Sequence, residues 1–268
     1  MTELMDNDRI LDVQGGVNFR ELGGYATVDG HTVKWHKLLR TAGLANLTPS
    51  DLQRLTDYGV KTDVDFRSRD EQKQAPDKVP AGVTYQFTPV FPADDETDAS
   101  ASQVQLEERF SADNQAGYRH MLNVYEQMVT LPSAQQAYHN FLAELLKNDG
   151  DSQSVLFHCT AGKDRTGLAA FFVLSALGVD PQTIRHDYLM TNQTSAKHIN
   201  ETTTAAAARG ETAAFVTNIR ALYTVNNDYF DTAMRLINTQ YGGTLDYLHD
   251  VLGLSRGDLQ TLKQLYLD

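Results

Sequence analysis

The segment His158-Cys159-Thr160-Ala161-Gly162-Lys163-Asp164-Arg165-Thr166-Gly167 collects a thiol, two cations and a carboxylate in one short stretch. It follows the strand-like run Ser154-Val155-Leu156-Phe157 and precedes a helix beginning near Thr166. A loop that wraps from a strand into a helix N-terminus turns backbone N–H groups inward and adds the positive end of the helix dipole. That is a cradle for an anion. Thr160, Ala161, Gly162, Lys163, Asp164, Arg165 and Thr166 are its expected phosphate-binding positions, and Gly162 lets the backbone turn close to the anion without a Cβ in the way. The field that binds an anion also lowers the pKa of a thiol at its base, so Cys159 is expected to be a thiolate at neutral pH.

The chemistry that follows is displacement at phosphorus by Cys159, giving a cysteinyl-phosphate that water hydrolyses to inorganic phosphate. Arg165, six positions further on, can grip two phosphate oxygens with its planar fork. Positioning and charge neutralisation dominate phosphoryl transfer, and amides with Arg165 supply both, so the pattern calls for no metal and no cofactor. Thr166 can donate a hydroxyl hydrogen bond to the sulfur. His158 is expected to order the loop rather than act as a base, since a thiolate needs none. A lone cysteine is more often a small buried apolar residue. Here the histidine before it, the arginine and threonine after it and the strand–loop–helix setting outweigh that reading. An ATP-type phosphate loop is excluded because Lys163 is followed by Asp164 rather than Ser or Thr.

The elements that must hold this loop are those of an α/β fold. Thr48-Pro49-Ser50-Asp51 reads as a helix start that Gly59 stops. Val60, Thr62, Val64 and Phe66 alternate with polar residues as in a strand, and Val83 to Val90 is a second strand candidate. The helix after the cysteine loop is expected to end at Gly178, and Asp180-Pro181 starts another. Strands alternating with helices imply a mainly parallel central sheet flanked by helices. Two stretches read as additions to this core: Asp94 to Gln115, which is polar and acidic, and the Ala-rich Thr202 to Thr224, which reads as helical and weakly amphipathic. In the helical C-terminal third Phe230, Ala233, Met234 and Ile237 share a face, and Ser255 with Asp258 forms a capping box. One α/β domain over residues 1–268 is expected.

Composition narrows the function classes. Of 268 residues, 23 are Lys or Arg and 35 are Asp or Glu, a net charge of −12 that disfavours a general nucleic-acid binder. One cysteine excludes an internal disulfide framework, a multi-cysteine zinc site and a CxxC pair. The longest apolar run, Leu168 to Val179, is shorter than the roughly 20 residues that span a bilayer. The N-terminus has no signal-peptide pattern. A cytoplasmic protein is expected, with export by an unusual route left open.

The cysteine loop is the signature of cysteine-based protein tyrosine and dual-specificity phosphatases. In its HCTAGKDRTG form the chain most resembles the atypical bacterial family of the mycobacterial tyrosine phosphatase B and Listeria lipid phosphatase kind. Four further blocks carry the resemblance: Asn18 to Tyr25, Leu39 to Gly43, Asp65 to Glu71 and Asp187 to Asn192. It implies a protein tyrosine phosphatase-like fold and hydrolysis of phosphotyrosine, with phosphoserine/threonine and phosphoinositides as further substrates. Lys163 bears on the lipid question: a second cation suits a substrate with several phosphates, whereas an exposed lysine at a loop tip is its plain alternative.

A leaving tyrosine oxygen needs a proton. The resemblance points to Asp164 as the acid. Asp94 and Asp95, after Phe91-Pro92, imitate the conventional acid loop and are the rivals, while pairing with an arginine such as Arg67 is the structural alternative for Asp164. Asp65 and Arg67 end a strand, where open α/β sheets place ligand groups. A structural salt bridge between them is the competing reading. Arg20 and Asn192 are candidates to brace the loop, with ordinary packing as their alternative. The same resemblance implies a lid over the site at about residues 195–225, with a plain surface helix as the preferred alternative for this Ala-rich segment. His31, His36, His120, His139, His186, His198 and His249 show no ligand spacing and are assigned no role.

Overall fold

The computed structural model describes residues 8–92 and 102–268. Strands β1 (Arg20–Glu21), β2 (Leu38–Thr41), β3 (Val60–Asp65), β4 (Thr84–Phe87) and β5 (Ser154–His158) form one sheet in the order β1-β2-β5-β3-β4. β5 lies in the middle, parallel to β2 and β3, and β4 runs parallel to β3. β1 alone is antiparallel. Register brings Thr41 of β2 and Asp65 of β3 level with His158, so three strands end together where the cysteine loop begins. This is the carboxyl edge at which open parallel sheets bind ligands.

Along β5 successive side chains face opposite layers. Val155 and Phe157 join Leu38, Val64 and Phe66 in the larger core. Leu156 joins Leu39, Val60 and Leu55 in a smaller one on the other face. That smaller layer is built on α1 (Pro49–Tyr58), whose start is a capping box between Thr48 and Asp51 and whose end is Gly59 at φ 96°. Next come α2 (Arg69–Gln74), α3 (Gln103–Phe110), α4 (Ala116–Thr130), α5 (Pro132–Lys147), α6 (Arg165–Leu177) and α7 (Pro181–Thr194). They are followed by α8 (Ala196–Ala208), α9 (Ala213–Tyr223), α10 (Asn227–Gln240) and α11 (Arg256–Tyr266). α6 is buried along its length apart from Ser175, which suits a helix apolar all round.

The expected α/β architecture is present, and so are the Gly178 stop and the Asp180 and Ser255–Asp258 caps. Two points differ. The polar residues alternating in β3 do not all face solvent: Lys61 is exposed, but Asp63 and Asp65 are buried, because β3 is an interior strand covered on both faces. The short strands β1 and β2 carry too few residues for a period to register, and the sequence reading placed none there. Within 94–115, α3 is helical, while Asp94 and Asp95 lie outside the described residues. The Ala-rich stretch is the helix pair α8–α9, which packs Ala206, Phe215 and Ile219 with Phe110 of α3 into a core of its own. No helix among the described residues is long and apolar enough to cross a membrane.

Candidate active site

The residues after β5 form the floor of a cavity of about 360 Å³. Cys159, Thr160, Ala161, Lys163, Asp164 and Arg165 line that floor, and Arg67 stands at its side. Phe91, Leu106, Met121, Val124, Leu222 and Tyr223 make largely apolar walls. Ser195 and His198 of the α7–α8 region close the rim. The first turn of α6 has no side-chain cap, so its N-terminal amides are not taken by a neighbouring hydroxyl or carboxylate.

Cys159 is 2% exposed. Burial pushes its thiol up, but the Arg165 charge and the hydroxyl and amide of Thr166 outweigh that and leave its pKa lowered. The Thr166 hydroxyl is itself buried and has no other hydrogen-bond partner.

Arg165 is held by a carboxylate from the neighbouring strand–helix connection. Its Nη1 donates to Glu71 Oε2 at 2.7 Å and its Nη2 to Oε1 at 2.8 Å. The Thr160 hydroxyl donates to the same Oε1. Glu71 can reach there because it is the N3 residue of α2, locked in a capping box with Ser68. Burial raises its carboxyl, yet Arg165 and the hydroxyl and amide donors bring it down to about 2.

The loop backbone is fixed from β1, β2 and α7. Asn18, at φ 58°, donates from Nδ2 to the Gly162 carbonyl at 2.8 Å and to that of Ala161 at 3.3 Å. Arg40 Nη2 donates to the same Gly162 carbonyl at 3.0 Å and its Nη1 to Asp187 Oδ2 at 2.5 Å. Arg20 donates to Asn18 Oδ1 and to Asp187, so it does brace the loop, through Asn18. Asp187, buried between two arginines, has its carboxyl held below the usual carboxylate range. Gly162 sits at φ 65°, and a Cβ there would lie 2.3 Å from the Thr41 carbonyl oxygen. Its glycine is thus demanded by the wall behind the loop, not by room for the anion.

His158 is fully buried behind the loop. Its Nδ1 lies 3.2 Å from the Cys159 carbonyl oxygen, and its Nε2 lies 3.3 Å from Asp63 and 3.2 Å from Asp77. Burial would lower the imidazole, but Asp63 and Asp65 more than offset this and hold its pKa well above 6.5. That fits a charged, loop-ordering histidine. Arg67 takes the structural alternative: it pairs with Asp65 and Asp77 and donates to the Ala75 carbonyl. It is therefore not the partner of Asp164. Asp164 Oδ2 lies 2.6 Å from Lys163 Nζ, and Oδ1 accepts a hydrogen bond from Tyr125 at 2.7 Å. Lys163 is buried at the cavity floor, which removes the exposed loop-tip reading. Asn192 does not touch the loop; it bonds both backbone groups of Val225, the link between α9 and α10.

A model of the tyrosine phosphatase family matches residues 11–268. The chain belongs to the tyrosine phosphatase family. A candidate tyrosine-protein phosphatase of Cupriavidus necator is 32% identical over 253 residues, 93% of this chain and 85% of that one. The triple specificity protein phosphatase PtpB of Mycobacterium tuberculosis is 29% identical over 283 residues, covering 96% of this chain and 99% of PtpB. A tyrosine-protein phosphatase of Nostoc commune is 28% identical over 84% of this chain and 72% of its own. Within this tyrosine phosphatase Cys159, Thr160, Ala161, Lys163, Asp164 and Arg165 come together on one floor, while Gly162 and Thr166 do not line the cavity. Glu71, Asn18, Arg40 and Asp187 are the supports that residue-by-residue reasoning left unassigned, although each sits inside a block quoted for the family resemblance. Asp77, Tyr125, His120 and His198 gave no local signal.

Proposed function

We propose that this tyrosine phosphatase acts on phosphotyrosine through a cysteinyl-phosphate on Cys159, the whole chain forming one domain with residues 195–225 as a lid. The observation that carries this reading is the Cys159 thiol at the floor of a cavity, beside an arginine that Glu71 fixes and whose charge favours the thiolate. The thiolate attacks phosphorus, the S–P bond forms and the P–O bond breaks, and Asp164 gives its proton to the departing tyrosine oxygen. Water then attacks phosphorus, Asp164 takes a proton from it, and the thiolate leaves with release of inorganic phosphate. Arg165 and the α6 amides carry the charge of the transferring group. The apolar walls suit an aromatic ring. The lid reading is supported by the separate small core of α3, α8 and α9 and by the cavity-lining Ser195, His198, Leu222 and Tyr223. A free catalytic thiol suits a reducing compartment, and we place the enzyme in the cytoplasm.

Buried Lys163 on the cavity floor favours a second reading, in which phosphoinositides are also substrates. The name of PtpB, a triple specificity phosphatase, is consistent with that breadth. Turnover of phosphotyrosine peptides and phosphoinositides, each against a Cys159→Ser control, tests both readings. Cys159-dependent release of phosphate from the peptides is expected. Its absence from both substrate classes would overturn the proposal.

A further inference from the structure

Asp164 has a buried companion outside the cysteine loop. Tyr125, on α4, is fully buried and contributes nothing to the cavity wall, while its neighbours Met121 and Val124 do. Its hydroxyl donates to Asp164 Oδ1 at 2.7 Å and lies 2.8 Å from the hydroxyl of Tyr188, on α7. Tyr188 is equally buried, and the two rings meet edge to face at 6.2 Å.

We propose that Tyr125, backed by Tyr188, is the positioning residue that fixes which oxygen of Asp164 carries the transferable proton. The inference rests on the reading of Asp164 as the acid. Two buried hydroxyls have two protons for a chain of three oxygens. Tyr125 gives its proton to Asp164 Oδ1, so Tyr188 must donate to Tyr125. Oδ1 thereby stays an acceptor in both protonation states of Asp164. The proton is confined to Oδ2, the oxygen now beside Lys163 on the cavity floor. Burial holds both phenols well above 10, so neither loses its own proton to the carboxylate. The arrangement also fixes the Asp164 side chain without adding to the charge of Lys163 beside it, since a phenol orients a carboxylate and remains neutral.

The test compares Tyr125→Phe, Asp164→Asn and the double variant on a phosphotyrosine peptide and on an aryl phosphate with a strongly acidic leaving group. Removing a positioned acid costs on the order of 10²-fold, and loosening it costs less. Tyr125→Phe should lower kcat on the peptide by about tenfold, leave KM within about twofold and spare the activated ester. In the Asp164→Asn background the same change should add nothing. Equal losses on both substrates, or additive losses in the double variant, would overturn the proposal by showing a role in packing only. Full peptide activity in Asp164→Asn would overturn the acid reading and the proposal with it, whereas absence of Cys159-dependent turnover in the wild type would overturn the function itself. Thermal melting monitors folding. If Tyr125→Phe does not fold, Tyr188→Phe, which removes the second donor only, should give the same substrate-selective loss in weaker form.

Discussion

Glu71 and Arg165 face each other as two parallel hydrogen-bonded arms, at 2.7 and 2.8 Å, across the gap between the β3 and β5 connections. The carboxylate aims a guanidinium that is only 7% exposed and also takes the Thr160 hydroxyl, so one side chain sets both ends of the loop.

Glu71→Gln keeps the shape and removes the charge. Its expected effect is a rise in KM for a phosphotyrosine peptide of about tenfold, because a misaimed arginine weakens phosphate binding. Stability carries a pH signature too. The folded value of about 2 lies below the ordinary 4.5, so the contribution is complete above pH 4.5 and is lost as pH falls towards 2. Its size is about 3 kcal/mol. Chemical denaturation at stepped pH should show a shallower acid decline for the variant, and parallel curves would contradict the pairing.

Gly162→Ala should be severe. The left-handed backbone costs a side-chain-bearing residue about 1–2 kcal/mol, and the added Cβ would lie 2.3 Å from the Thr41 carbonyl oxygen and 2.6 Å from the Ala42 nitrogen. Both atoms are backbone, so the loop itself must move. Isothermal titration with inorganic phosphate should show binding weakened at least about tenfold, equivalent to about 1.4 kcal/mol.

Lys163 separates the two substrate readings. Its ammonium pairs with Asp164 on the cavity floor, beside the Arg165 that would hold the first phosphate of a substrate. Lys163→Met should reduce turnover of a phosphoinositide carrying several phosphates by about tenfold or more and that of a phosphotyrosine peptide by no more than about threefold. Equal losses would remove the second cation from substrate choice.

Thr166→Ala takes away a hydroxyl that lowers the Cys159 thiol. The pKa should rise, so the pH dependence of inactivation by iodoacetate should move to higher pH and its rate near neutrality should fall several-fold. An unchanged profile would mean that Arg165 and the helix amides suffice.

The cysteine loop was legible because its chemistry is local: thiol, arginine and threonine lie within one turn of chain and helix. The caps at Thr48, Asp180 and Ser255 were legible for the same reason. What sequence reasoning could not assign acts across the fold. Glu71 reaches Arg165 only because β3 and β5 are adjacent, and Arg40 reaches Gly162 only because β2 lies on the other side of β5. Asp63 looked like the polar half of an alternating strand, since alternation reports a face and not what covers it. Tyr125 is one aromatic on the buried stripe of α4, and nothing in its spacing distinguishes the hydroxyl that meets Asp164 from its packing neighbours.

The central claim is that Cys159 carries the phosphoryl group. It is tested most directly by rapid acid quench of the enzyme during turnover of a phosphotyrosine peptide, followed by mass spectrometry of its proteolytic fragments. One phosphoryl group on the fragment containing Cys159, lost on further incubation and absent from Cys159→Ala, is the expected result. Continued turnover by Cys159→Ala, with no phosphorylated fragment in the wild type, would contradict it.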